Sequence, residues 1–536
     1  MELATSHRQR TVLLLLATVV LWNAGLDLFW SSRHTFFPLY PDEAFHLEQV
    51  RSLGRALAAF DLGSMRDLAA RWGYPPFFYL CAALWGFLFG SGVLAVTTVN
   101  VLFLALLLAA IQGCCQRWFS TRDGLVAILV TSLFPIVYAA QRWFLLDFSL
   151  AAMVWVALYA LTASRGFRSV GWSLLAGLVL GLGVLTKFTF PVFLAGPVLY
   201  TLYGAKGGGS RPFVHAGLAF LTAFTVTSLH YNLFDVAWTV FHPRNPAYIP
   251  TNEVLGGGQV LEALLFYPSG LPHLLSPPIL AMLFLVMPFG AYAGEARRGR
   301  AMLLAMAVPS LVFFTWFPNK WARYLLPLVP VLAVFGARGL LSLPGTVLRR
   351  TTLGLLLALG LGYQLTLTFG RDLSYDHPTI MLSLQPSSDE DRARSILASF
   401  PSHPLVTAML PDSTAVLCLV DSLPQHFLSG SLAYAARAAG WSGQVVEFPC
   451  SHREFVRHHL ACNLVVSTRR PEAVPFPDYA ELESFYAHHH LDFHLAGHPV
   501  AESVALFEAM AERYREAARI EVPGAEYQFV LLRPAK

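Results

Sequence analysis

PPFFYLCAALWGFLFGS, residues 75–91, decides the topology of this chain: it is apolar enough to enter a bilayer, and counting it as a crossing would reverse the side of every later loop. Around it lie eleven apolar segments of spanning length, at about residues 12–30, 93–112, 124–141, 146–163, 172–187, 189–204, 213–231, 274–294, 301–317, 322–342 and 351–370. A hydrocarbon core of about 30 Å asks for roughly 20 apolar residues per helix. Cytoplasmic loops collect Lys and Arg. With eleven crossings the inside segments hold Arg8 and Arg10, Arg117 and Arg122, Arg165 and Arg168, Lys206 and Arg211, Arg297, Arg298 and Arg300, and Arg349 and Arg350. A twelfth crossing at residues 75–91 would put most of these outside, so that segment reads as an amphipathic or re-entrant element at the outer interface.

Composition points the same way. Apolar residues make up 55% of the 536 and charged residues 13%, whereas soluble domains are about 25% charged. The net charge of +4 is carried in short loops and forms no basic patch, so no nucleic-acid partner is implied. The opening MELATSHRQR and the apolar run after it resemble a signal peptide, but the run is long enough to span and lacks a small-residue cleavage site, so it reads as a retained first helix. The expected fold is an α-helical polytopic membrane protein of about eleven transmembrane helices with a C-terminal soluble α/β domain. Residues 1–370 form the membrane domain, with outer loops at 31–92 and 232–273, and residues 371–536 form the second domain. The expected site is the plasma (inner) membrane, with the N-terminus cytoplasmic and the tail extracytoplasmic. In the tail, PLVTAML, QVVEFP, CNLVVST and YQFVLLR read as strands, and SLAYAARAAG and ESVALFEAMAERYREAARI as helices.

The six cysteines show no repeated CxxC spacing, so neither a zinc site nor a disulfide framework is encoded, and one bridge, Cys450 to Cys462, is all the spacing allows. His488, His489 and His490, with His494 and His498, invite a metal reading. Consecutive histidines on a helix point different ways, which favours a solvated face.

Charged groups in or beside a spanning helix are costly and mark function. On the outer side of this map stand Asp42 and Glu43 in YPDEAFH, with His46 one turn on; Arg142 and Asp147 in QRWFLLD; Lys187 in GVLTKF; and Lys320 and Arg323 in NKWARYLLPL. They share one rim, where a substrate can keep its polar head at the interface and its tail in lipid. A transporter would bury such groups near the midplane. An acidic pair can take up a proton, and fixed cations can hold a phosphate or diphosphate. Glycoside hydrolysis needs a second carboxylic acid to protonate the leaving oxygen, but a phosphate leaves as a stable anion and needs cations instead. The set suits glycosyl transfer from a phosphate donor: a carboxylate deprotonates the attacking hydroxyl, and one displacement inverts the anomeric centre.

The order YPDEAFH, YPPFFYL, QRWFLLDFSL, GLGVLTKF and RYLLPLVPVLA, over residues 12–370, resembles the polyprenyl-phosphate-sugar transferases of the glycosyltransferase C superfamily. The protein O-mannosyltransferases and the lipid A aminoarabinose transferases are the most similar in these motifs. The resemblance implies that Asp42 is the catalytic base with Glu43 beside it, and that Asp147 is the acid opening the fourth span. It implies further that Lys187 and Arg323 lie near the donor phosphate. Where the family has His or Lys before the two prolines this chain has Tyr74, which removes a cation that Arg142 or Lys320 would have to replace. No cofactor is required, and a divalent metal stays open.

Blander roles compete. Asp42 and Glu43 can cap and open the helix after them, and His46 can lie on its surface. Arg142 and Asp147 can form a structural ion pair, or Arg142 can anchor at the interface beside Trp143. Lys187, Lys320 and Arg323 can be interfacial cations, and Pro75 and Pro76 can simply start a helix. The expected function is an inverting glycosyltransferase, transferring a hexose or pentose, that passes a sugar from a polyprenyl-phosphate donor to an extracytoplasmic acceptor on protein, lipid or glycan. A lipid-linked-sugar flippase and an inactive membrane scaffold are the alternatives. On the eleven-span map, a cysteine placed near Arg117 is inaccessible to an impermeant thiol reagent added outside intact cells; labelling there overturns the map.

Overall fold

The computed structural model describes residues 2–33, 41–61, 63–65, 74–207, 209–230, 257–291, 297–317, 322–369, 404–412, 416–419, 436, 439–447, 464–467, 513–521 and 528–535. Two compact units are present, one of residues 1–33 with 49–387 and one of residues 34–48 with 388–536.

The first unit is helical. Its elements are α1 (Glu2–Arg33), α3 (Phe77–Phe89), α4 (Val93–Thr97), α5 (Val99–Trp118), α6 (Thr121–Ser132), α7 (Pro135–Arg142), α8 (Leu146–Ala163), α9 (Val170–Val184), α10 (Phe190–Tyr203), α11 (Arg211–Ser228), α12 (Gly257–Leu275), α13 (Pro277–Ala291), α14 (Arg297–Trp316), α15 (Val329–Leu341) and α16 (Thr346–Phe369). Helix α2 (Pro41–Ala58) runs across the boundary between the two sets of residues. Among the described residues six helices are long and apolar enough to cross a membrane, and up to eight if each of two bent pairs counts as one span. The chain is a multi-pass membrane protein.

Helix α8 is apolar all round after Asp147 and is buried along almost its whole length, as a central helix must be. It packs on α5, α9 and α10. The expected span at residues 124–141 is broken: α6 ends at Ser132, Pro135 starts α7, and the two axes differ by 62°. Proline has no N–H to continue the ladder. A second bend, of 104°, separates residues 263–272 from 277–290, so residues 257–273, expected as loop, are helical. Helix α3 has 13 residues, a rise of about 20 Å at ~1.5 Å per residue. Phe78, Tyr79, Ala82 and Ala83 bury one face, while Leu84 and Leu88 expose the other. Both faces are apolar, which corrects the amphipathic reading of residues 75–91.

Small residues let these helices approach closely, the main route to tight packing where lipid is as apolar as leucine. Gly177 of α9 abuts the Ala219 backbone of α11, and Gly339 of α15 abuts the Val286 carbonyl of α13; a Cβ at either would collide with main chain. Polar side chains join the first span to the last: Trp22 Nε1 donates to Gln364 Oε1 at 3.0 Å, and Gln364 Nε2 donates to Asn23 Oδ1 at 2.8 Å.

The second unit holds a five-stranded mixed sheet of β1 (Val416–Leu419), β2 (Gln444–Glu447), β3 (Leu464–Ser467), β4 (Tyr514–Glu521) and β5 (Gln528–Pro534), in spatial order β2-β1-β3-β5-β4. β1 pairs parallel with β2 and β3, while β5 pairs antiparallel with β3 and β4. Two expectations are corrected. PLVTAML contains helix α17 (Pro404–Met409), started by the proline. YREAARIE is strand β4: Tyr514 and Ile520 are buried, and pairing with the apolar β5 overrides the helix propensity of Glu, Ala and Arg. The histidine cluster, Cys450, Cys462 and most of SLAYAARAAG lie outside the described residues.

Gly339→Val should cost about 1–3 kcal/mol by overpacking, read as a lower unfolding midpoint of the purified chain in detergent.

Candidate active site

Asp147 is positioned by a break in the chain. Leu145 is extended (φ −121°, ψ 154°), so α8 begins at Leu146 and Asp147 falls in its first turn, where the helix dipole favours a carboxylate. The carbonyls freed near this break are met by a side chain: Asn100 Nδ2 donates to Gln141 O at 3.0 Å and to Trp143 O at 2.9 Å. Lys187 sits in a second break, between α9 and α10. There Leu185 O accepts from Phe77 N at 2.9 Å, which ties the start of α3, and Tyr74 just before it, to the same turn. Arg323 and Tyr324 lie on a 3-10 run, Ala322–Leu328, held on α8 by Trp155 Nε1 donating to Pro327 O at 3.0 Å.

These three elements bring their charges together. Lys187 Nζ donates to Asp147 Oδ1 at 2.8 Å, and Arg323 Nε stands 3.6 Å from Asp147 Oδ2. Lys187 also lies 5.1 Å from the Tyr324 ring centroid, a cation–π distance. Asp147 and Lys187 are buried, at 4% and 7% exposure. Lys187 and Arg323 converge on this one carboxylate, and both are side chains that donate charge-assisted hydrogen bonds to an anion such as phosphate.

Arg142 is elsewhere. Its Nε donates to Asp27 Oδ1 at 3.0 Å and its Nη2 to Thr368 Oγ1 at 2.7 Å, and its guanidinium stacks near Trp30 and Tyr138. The partner of Arg142 is therefore Asp27 and not Asp147. Asp27 was missed in the sequence, although a lone carboxylate inside the first span is a signal by itself. Asp147, Lys187, Arg323, Arg142, Asp27 and Thr368 all sit at helix ends on one side of the bundle, given the alternating direction of the helices; Arg117, Arg165, Arg168 and Arg338 mark the opposite side.

Asp42, Glu43 and His46 belong to α2, which starts at Pro41. Asp42 thus lies within the first turn and is not the N-cap. Glu43 and His46 are buried, which corrects the surface reading of His46. The three fall in the second unit, while the Asp147 cluster belongs to the first. Tyr74 is partly buried, and Lys320 lies outside the described residues.

This architecture has relatives. ArnT from Cupriavidus metallidurans in the apo state superposes with a TM-score of 0.55 at 16% identity, covering 97% of each chain. This is the glycosyltransferase C fold, and the chain shares it. The same ArnT bound to undecaprenyl phosphate gives a TM-score of 0.51 at 14% identity, again over 97% of each chain. Within the glycosyltransferase C fold, residues 74–231 match the family of dolichyl-phosphate-mannose-protein mannosyltransferases, and that stretch includes Tyr74, Arg142, Asp147 and Lys187. GPI mannosyltransferase 4 of Yarrowia lipolytica is 29% identical over 160 residues, 30% of this chain and 29% of that relative's length.

Removing the shared carboxylate takes a partner from both cations, so Asp147→Asn is expected to cost about 3–5 kcal/mol, whereas Lys187→Met, which leaves Asp147 with Arg323, should cost less, both read from denaturant unfolding in detergent.

Proposed function

We propose that the chain is a membrane glycosyltransferase that moves a sugar from a polyprenyl-phosphate donor to an acceptor hydroxyl outside the cytoplasm. The observation that carries this reading is the buried cluster in which Lys187 and Arg323 converge on Asp147 at one end of the bundle. Preorganised cations lower the barrier where a phosphate departs, because they need no rearrangement as charge develops. The binding of undecaprenyl phosphate by ArnT in the same fold supports a lipid-phosphate donor here. The arginines at the opposite end of the bundle support a cytoplasmic location for that end, by the positive-inside tendency. The Asp147 cluster then faces the other compartment, as does the proposed C-terminal α/β domain of residues 371–536, in the plasma (inner) membrane.

The reaction is a single displacement. An acceptor hydroxyl, on protein, lipid or glycan, attacks the anomeric carbon as the carbon–oxygen bond to the phosphate breaks. The electron pair leaves with the polyprenyl phosphate, held by Lys187 and Arg323, and the hydroxyl proton passes to a carboxylate. Asp42, in the first turn of α2, is the proposed base, with Glu43 beside it. Asp147 is already occupied by two cations and acts by holding them in place.

Asp42→Asn should retain expression and thermal stability yet lose at least a hundredfold in transfer from a synthetic polyprenyl-phosphate sugar, within the ~10²–10⁴ supplied by general bases. Full activity of that variant removes Asp42 from the reaction.

A further inference from the structure

At the end of the bundle away from the Asp147 cluster, two turns of the chain touch. One is residues 164–169, between α8 and α9, and the other is the 3-10 turn Gly204–Gly207, between α10 and α11. They meet backbone to backbone, where a Cβ on Gly166 would stand 3.3 Å from the Gly204 carbonyl oxygen. The first turn is strained. Arg165, Gly166 and Phe167 have φ of 55°, 75° and 59°, a left-handed region that a side chain with a Cβ holds only where its surroundings impose it. Here they do: Phe167 is 3% exposed, its N–H donates to Ser164 Oγ at 3.2 Å, and its carbonyl accepts from His215 Nδ1 of α11 at 2.9 Å. The buried ring anchors the turn and leaves Arg165 and Arg168, on either side of it, exposed.

The second turn adds cations to the first. Lys206 is exposed, with Nζ 4.9 Å from the Tyr203 ring centroid, and Arg211, which opens α11, is exposed too. No Asp or Glu occurs between residues 148 and 234, so neither turn and none of α9, α10 and α11 carries a carboxylate to offset these four charges. Asp123, at the same end of the bundle, does not offset them either: it is 1% exposed and faces Arg338 at 3.5 Å. Arginine and lysine side chains grouped in this way donate charge-assisted hydrogen bonds to phosphate oxygens.

The neighbouring surface selects what carries the phosphate. Tyr203, Phe213 and Val214 adjoin the cations in sequence and are exposed, on helices whose outer faces meet hydrocarbon. A soluble anion would leave these side chains unused, whereas a phospholipid lays its acyl chains on them while its head meets the cations. We infer that the paired turns bind an anionic phospholipid of the adjoining leaflet, its phosphate held by Arg165, Arg168, Lys206 and Arg211 and its chains lying along Tyr203 and Phe213. The inference is independent of the transferase reading.

The test titrates the full chain, purified in detergent, with dioleoyl phosphatidylglycerol or dioleoyl phosphatidylcholine and reads the first-lipid dissociation constant by native mass spectrometry. Phosphatidylglycerol should bind about tenfold more tightly, since cations near the membrane surface attract anionic lipid. Arg165→Gln with Lys206→Gln, one cation from each turn, should abolish that preference with the unfolding temperature unchanged, as should Arg168→Gln with Arg211→Gln. Arg297→Gln with Arg298→Gln removes the same charge from two exposed residues at the start of α14 and should leave the preference intact. Equal binding of the two lipids, or an equal loss in the α14 variant, as for a general attraction of basic helix ends, overturns the proposal.

Discussion

Inside hydrocarbon no water satisfies a free peptide group, so a helix can be interrupted only where protein surrounds the interruption. The buried cluster of Asp147, Lys187 and Arg323 is built on that constraint. Residues 143–145 leave the helical path where the Asn100 amide can meet two carbonyls, and the turn after α9 leaves it where Phe77 N meets Leu185 O. The 3-10 run Ala322–Leu328 is met by Trp155. Asp147, Lys187 and Arg323 ride on these three irregular pieces, so the backbone bonding that permits the breaks also fixes the charges.

Two buried charge groups occupy the same end of the bundle and differ in make-up. Asp27 and Arg142 cancel, and with Thr368 they join α1, α7 and α16 into a frame. Asp147 faces two cations, Lys187 and Arg323, which come from separate breaks in the helical path.

Much of this was legible in the sequence because hydrocarbon imposes a strong pattern. The membrane class followed from run length, and Asp147, Lys187 and Arg323 could be singled out as costly charges beside spans. The bends were less legible: Pro135 was visible, but a proline alone does not say that the axis turns by 62°. The partner of Arg142 was misread because Asp147 is near in sequence, whereas Asp27 is 115 residues away. Strand β4 was hidden by its composition, since Glu, Ala and Arg read as helix until an apolar partner such as β5 is known.

The bond between Gln364 and Asn23 has a consequence for how the protein is made. The two residues are 341 positions apart, which at ~5–20 residues per second of synthesis means a delay of roughly 17–70 s. Throughout that interval the polar groups of α1 have already been delivered to the membrane, while the helix that supplies Gln364 and Thr368 does not yet exist. The last span to emerge from the ribosome completes the first, so the membrane unit closes from its two ends instead of growing outward from either.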